Sequence, residues 1–596
     1  MSAAAAPRPR TDAAPVAYRV EIADARAHLL RVTLTLRRPA AEQRLSLPVW
    51  IPGSYLVREF ARHLSGLAAR QGGREVALRQ LDKATWLARC QGGAALTVVY
   101  LVYCFDVSVR SAYLDARRGF FNGTSVFLRV HGREHERHGV SLAGLPGDWQ
   151  VATAMAPAAR RHHFEAADYD ELVDHPFELG RFWRGSFEAG GVGHAFVVAG
   201  ALPGFDGARL LADVRRICAA QIAFWHGERG AAPPFTRYLF LLNAVEEGHG
   251  GLEHRASTAL IANRRDLLPA AGADPGDGYV RLLGLVSHEY FHAWNVKRLR
   301  PADFARYDYT QENYTELLWF FEGFTSYYDD LFLLRAGLID VPRYLRLLAA
   351  TASSVLATPG RKVQSLAGAS FDAWVKYYRS DENTPNATIS YYALGSLVAL
   401  ALDLELLRGG RGRAGLDAVM RRLWQRSGGG PVSEADILAA VAAVAGPRRG
   451  AAMAARLEGW VHGTADLPLP DLLARFGVRW QAQPPTLAQR WGLRVAESAL
   501  TGIKVTHVLR GGAAEAAGLA AGDELLGVEG WRLRRLDDAL ALLPAKGPAR
   551  LLAARDQRLL ELSISSPAGV TGAVQLAVDE HASAAARGLR KAWLRS

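Results

Sequence analysis

The segment GYVRLLGLVSHEYFHAWNV, residues 278–296, decides how this chain is read. Its apolar residues recur at helical spacing, and no proline interrupts it between Tyr279 and Arg300. Inside it stands His288-Glu289-Tyr290-Phe291-His292. Histidines four apart on a helix project from one face about one turn apart, so two imidazoles can meet one tetrahedral ion. Glu289 then lies where a carboxylate can take a proton from a water that the metal acidifies and pass it to a leaving amine. In a chain of this composition about 0.02 such matches are expected by chance. The pattern therefore points to a zinc site rather than to two packed histidines.

A catalytic zinc keeps three protein ligands and one open position. Thirty residues beyond His292 comes WFFEGFTSYY, residues 319–328, in which Glu322 is the lone carboxylate among aromatic residues whose helical pattern buries it. Coordinating a cation removes the cost of burying that charge. Glu312 and Glu316, in the polar approach YTQENYTE, are the alternatives. Upstream, His249-Gly250-Gly251-Leu252-Glu253 joins two glycines, which let a backbone approach a ligand, to an extended segment.

Outward from these motifs the texture changes three times. Residues 17–190 alternate apolar and polar, as in YRVEI and HLLRVTLTLRR, between Gly- and Pro-bearing turns, and are expected to form an all-β sandwich-like domain. Residues 191–470 begin as mixed α/β and become mostly helical, with Gly337 and Gly409-Gly410 at helix stops. Residues 480–582 return to short strands and turns. A tail at 1–16 and a basic tail at 583–596 flank these domains.

Composition excludes several classes. The chain has 596 residues, 49% hydrophobic and 22% charged, too many for a single core. No apolar run reaches the ~18 residues of a membrane span. The net charge of +12 is spread without a basic block, so nucleic acid is not an expected partner. Three scattered cysteines and no apolar signal segment lead to the expectation of a cytoplasmic protein.

The His288–His292 motif followed by Glu322-Gly323-Phe324 resembles the gluzincin class of metallopeptidases, which includes thermolysin and aminopeptidase N. SHEYFHAWNVKRLRP (287–301), ENYTELLWFFEGFTSYYDDL (312–331) and WIPGSYLVREFARHL (50–64) resemble the glycyl aminopeptidase family, over nearly the whole chain. That resemblance implies a β-rich N-terminal domain, a thermolysin-like catalytic domain holding one zinc ion, and a PDZ domain. It implies that His288, His292 and Glu322 hold the metal and that Glu289 is the general base. It implies further that Gly250 and Gly251 bind peptide backbone, and that Glu253 pairs with the free α-amino group of a peptide substrate, favouring small N-terminal residues such as Gly or Ala. The family's Tyr-x-Lys-Gly pattern maps a catalytic tyrosine onto Tyr392, with Leu394 in place of the lysine and Tyr391 as the alternative. GGAAEAAGLAAGDELLGVEG (511–530) resembles a PDZ segment, which implies that a peptide C-terminus docks there, with Trp491 to Val495 as the carboxylate loop. The rival functions are a zinc endopeptidase and a non-catalytic PDZ scaffold.

Overall fold

The computed structural model describes residues 14–227, 232–269, 275–565, 569–570 and 572–595. Of the expected N-terminal tail, residues 1–13 lie outside the described residues, and the first strand starts at Val16. The chain divides into two compact units, Met1–Arg298 with Phe304–Asn313, and Leu299–Asp303 with Tyr314–Ser596.

The first unit opens as β structure because its sequence alternates. Val16–Asp24 pairs antiparallel with Leu29–Leu36, Val16 opposite Leu36, so that Val16, Tyr18, Val20, Val32 and Leu34 share the buried face. Both strands belong to an eight-stranded sheet, and two four-stranded sheets close over the same core. A five-stranded sheet follows, in the order Trp183–Ala189, Val192–Ala199, Arg237–Val245, Ser257–Asn263, His249–Glu253. Its central strand, RYLFLLNAV, runs without a charged or amide side chain from Tyr238 to Leu242 because it is buried on both faces. Helices Gly207–His226 and Asp277–Phe291 complete this α/β layer.

The second unit is helical and then β. Its central helix, Tyr391–Gly409, is hydrophobic nearly all round because other helices surround it. Val341–Leu356 starts at an Asp340 cap with Pro342 in its first turn, and Gly337 ends the preceding helix in a left-handed turn. Beyond a ribbon of Val478–Ala482 with Val574–Val578 stands a small antiparallel sheet in which Leu493–Ser498 is an edge strand. Asn386 ties that sheet to the helical part of the unit, donating to the Val508 carbonyl at 2.9 Å and accepting from the Arg510 amide at 2.9 Å. Within the basic C-terminal segment lies the helix Ala584–Leu594. Trp593 is fully buried and donates to the Tyr327 hydroxyl, which in turn donates to Asp403.

Candidate active site

The helix that carries His288 and Glu289 is shorter than its apolar pattern predicts. It runs from Asp277 to Phe291, and His292 is its C-cap. The His292 amide still bonds the His288 carbonyl at 3.3 Å, after which the Val296 and Lys297 amides both turn back to the His292 carbonyl. That wrapped turn sets the imidazole. His292 Nδ1 donates to the Asn295 carbonyl at 2.6 Å, because a carbonyl can only accept, and the lone pair is left on Nε2, the tautomer a metal ligand needs. The His288 and His292 rings lie edge to face, 4.6 Å between centroids. Two histidines of one turn, one of them fixed in the ligating tautomer, form a donor set suited to zinc.

Beside this turn runs the edge strand His249–Glu253, paired antiparallel with Ser257–Asn263. Atoms of Glu253, Glu289 and His292 come within 4.8 Å of one another, so the strand brings its carboxylate to the helix's own. The glycines make this approach possible. A Cβ at Gly251 would collide with the Glu289 carboxylate. One at Gly53, where φ is +94°, would stand 2.5 Å from both carboxylate oxygens of Glu253. Gly53, in the early WIPGSY stretch, is thus packed on the Glu253 head, a role that sequence reading missed although it had singled out the stretch itself.

Asp174 was missed altogether. Its carboxylate takes Lys297 at 2.7 Å and His254 at 3.3 Å, and accepts from the Arg255 amide at 2.9 Å. It thereby joins the residue after Glu253 to the turn after His292. Burial opposes its ionisation, but Lys297, His254 and Arg255 hold its pKa well below the usual carboxylate range.

In the second unit the chain approaches Glu322 through a π-turn, Trp319–Gly323, where a plain α-helix was expected, and the α-helix Phe324–Arg335 follows. Such turns displace one residue from the regular helical face and recur at functional sites. Glu322 is 2% exposed, whereas Glu316 is exposed and Glu312 half-buried. The π-turn meets the Tyr391–Gly409 helix backbone to backbone. A Cβ at Gly323 would lie 2.5 Å from Gly395 Cα, and one at Gly395 would lie 2.7 Å from the Trp319 carbonyl. This contact sets the start of the tyrosine helix beside Glu322. Tyr391 is buried, while Tyr392 is half-buried and shares a 3.3 Å hydrogen bond with Tyr378. Burial, and after it the Glu322 charge, raise the Tyr392 pKa well above its usual value, so its hydroxyl keeps its proton.

The profile of the Peptidase M61 N-terminal domain matches residues 17–181, that of the M61 glycyl aminopeptidase residues 281–398, and that of the PDZ domain residues 479–552. An aminopeptidase N family protein from Idiomarina loihiensis is 36% identical, with 97% of this chain and 100% of that one covered at a TM-score of 0.90. An M1 zinc metallopeptidase from Deinococcus radiodurans is 17% identical, with 76% of this chain and 94% of that one covered at a TM-score of 0.45. The search of curated proteins gave no match. No helix among the described residues is long and apolar enough to cross a membrane. With a relative aligned end to end and three profiles in the expected order, the chain belongs to the M61 glycyl aminopeptidase family of zinc metallopeptidases and is an aminopeptidase with a C-terminal PDZ domain.

Proposed function

We propose that His288, His292 and Glu322 hold one zinc ion per chain, and that the enzyme removes single residues from peptide N-termini. When bound, zinc supplies Lewis acidity to a water molecule and to the scissile carbonyl. Glu289 takes the proton from that water and returns it to the leaving amine. Tyr392, a phenol that keeps its proton at neutral pH, donates to the oxyanion that develops on the carbonyl oxygen. The Glu253 carboxylate accepts from the substrate's α-ammonium, and Gly250 and Gly251 receive its backbone along the open strand edge. The observation that carries this reading is the turn on which Glu253, Glu289 and His292 converge: a general base needs only one carboxylate there, and the second suits a free amine. On likeness to the M61 glycyl aminopeptidases, the reading includes a preference for small N-terminal residues such as Gly or Ala. The PDZ domain takes a peptide C-terminus at its Leu493–Ser498 edge.

Aminoacyl anilides and N-blocked peptides test this, with zinc-loaded protein beside Glu289→Ala and chelated samples. Free substrates are expected to be cleaved and blocked ones not, with kcat lower by about 100-fold or more in the variant. Cleavage of blocked peptides would establish the endopeptidase instead, and no turnover would leave the PDZ scaffold.

A further inference from the structure

The same strand edge ends at an arginine that the chemistry above does not use. Along His249–Glu253 the His254 amide turns inward to the Ser257 carbonyl at 2.9 Å, so by strand alternation the backbone groups of Glu253 and Gly251 turn to the open edge. There the Gly251 carbonyl is met by Arg110 Nη2 at 3.3 Å. Arg110 belongs to the loop between strands Leu96–Tyr103 and Ala112–Leu114, and that loop is pinned on both sides of it. The buried Asn122 amide donates to the Val109 carbonyl at 2.8 Å and to the Ser111 carbonyl at 3.3 Å. The guanidinium is half-buried, and among the described residues no carboxylate lies in ion-pair range of it. A half-buried cation without a counter-charge, held at the rim of a substrate strand, is placed to receive an anion.

Resting on the aminopeptidase reading, we infer that Arg110 receives the C-terminal carboxylate of the substrate and makes the enzyme selective for dipeptides and tripeptides. Glu253 takes the α-ammonium at one end of the edge and Arg110 stands two residues away at Gly251. At about 3.3 Å per residue that separation, plus the reach of the two side chains, fits an extended chain of two or three residues. A longer peptide would have to displace the guanidinium from the edge it occupies. A planar fork is the donor suited to a carboxylate, whereas a neutral C-terminal amide offers no charge to it.

The test compares glycyl-alanine, its C-terminal amide and glycyl anilide on the full-length zinc-loaded enzyme. The free acid is expected to exceed the amide in kcat/KM by about tenfold or more, and Arg110→Gln to bring that ratio near one, with Arg110→Lys between them. Calorimetric titration of the same two dipeptides into Glu289→Ala gives a second readout without turnover: the acid should bind more tightly by a similar factor, and Glu289→Ala/Arg110→Gln should bind both alike. Equal handling of acid and amide by the wild type, or a preference that survives in Arg110→Gln, would overturn the inference while anilide hydrolysis upheld the aminopeptidase. Failure to hydrolyse any of the three would overturn both.

Discussion

At Gly53 and Gly251 the absence of a side chain has two separable consequences. Gly53 has φ +94° and lies against the Glu253 carboxylate, so alanine there adds about 1–2 kcal/mol of backbone strain and pushes that carboxylate aside. Gly251 faces Glu289 instead. If Glu253 takes the substrate ammonium as proposed, Gly53→Ala should raise KM for a free aminoacyl anilide by about tenfold with a smaller change in kcat. If Glu289 is the base as proposed, Gly251→Ala should chiefly lower kcat, by about 100-fold, since the added Cβ meets its carboxylate. Steady-state kinetics of the two variants side by side check this, and the same split in both would refute the assignment of separate roles.

Helices in the second unit meet where Gly323 and Gly395 let two backbones touch, and that contact sets Tyr392 beside Glu322. Valine at 395 would wedge the π-turn from the tyrosine helix, an overpacking that costs about 1–3 kcal/mol. Gly395→Val should lower the urea midpoint accordingly. An unchanged midpoint would mean that the helices can separate without cost. In the first unit the comparable tie is the Asp174 cluster, a buried ion pair whose partners flank the carboxylate strand and the histidine turn.

Acid stability belongs to the whole molecule, and one buried group makes its sign clear. His194 is 2% exposed, donates from Nδ1 to the Val192 carbonyl at 2.8 Å, and accepts at Nε2 from Tyr290, which stands between His288 and His292 in the chain. Burial lowers its pKa to about 4 from the ordinary 6.5, with the Val192 carbonyl opposing. Between those values the unfolded chain binds a proton that the folded chain refuses, so stability falls as pH drops from 6.5 and the loss is complete below 4, about 3 kcal/mol in all. Urea denaturation at pH 7 and pH 4.5 should show a smaller loss in His194→Gln than in the wild type. Equal losses would mean that His194 takes no part.

By itself the sequence determined what depends on neighbours in the chain. The spacing of His288, Glu289 and His292 is a helical period, and Glu322 was legible as one carboxylate in an aromatic run; the strands and helices follow from periodicity and glycine placement in the same way, whereas the PDZ segment was legible by its resemblance to that family. Even so, the helix ending at His292 and the π-turn at Glu322 escaped, because each is fixed by hydrogen bonds and close backbone contacts that a hydrophobic pattern does not encode. Only tertiary structure decided which distant residues serve the motifs. Gly53 meets Glu253 across 200 positions, Arg110 reaches Gly251 across 141, and Trp593 caps Tyr327 across 266. No local periodicity links such pairs; they are chosen by the steric and electrostatic demands of one folded core, which exist only once the sheets and helices have packed.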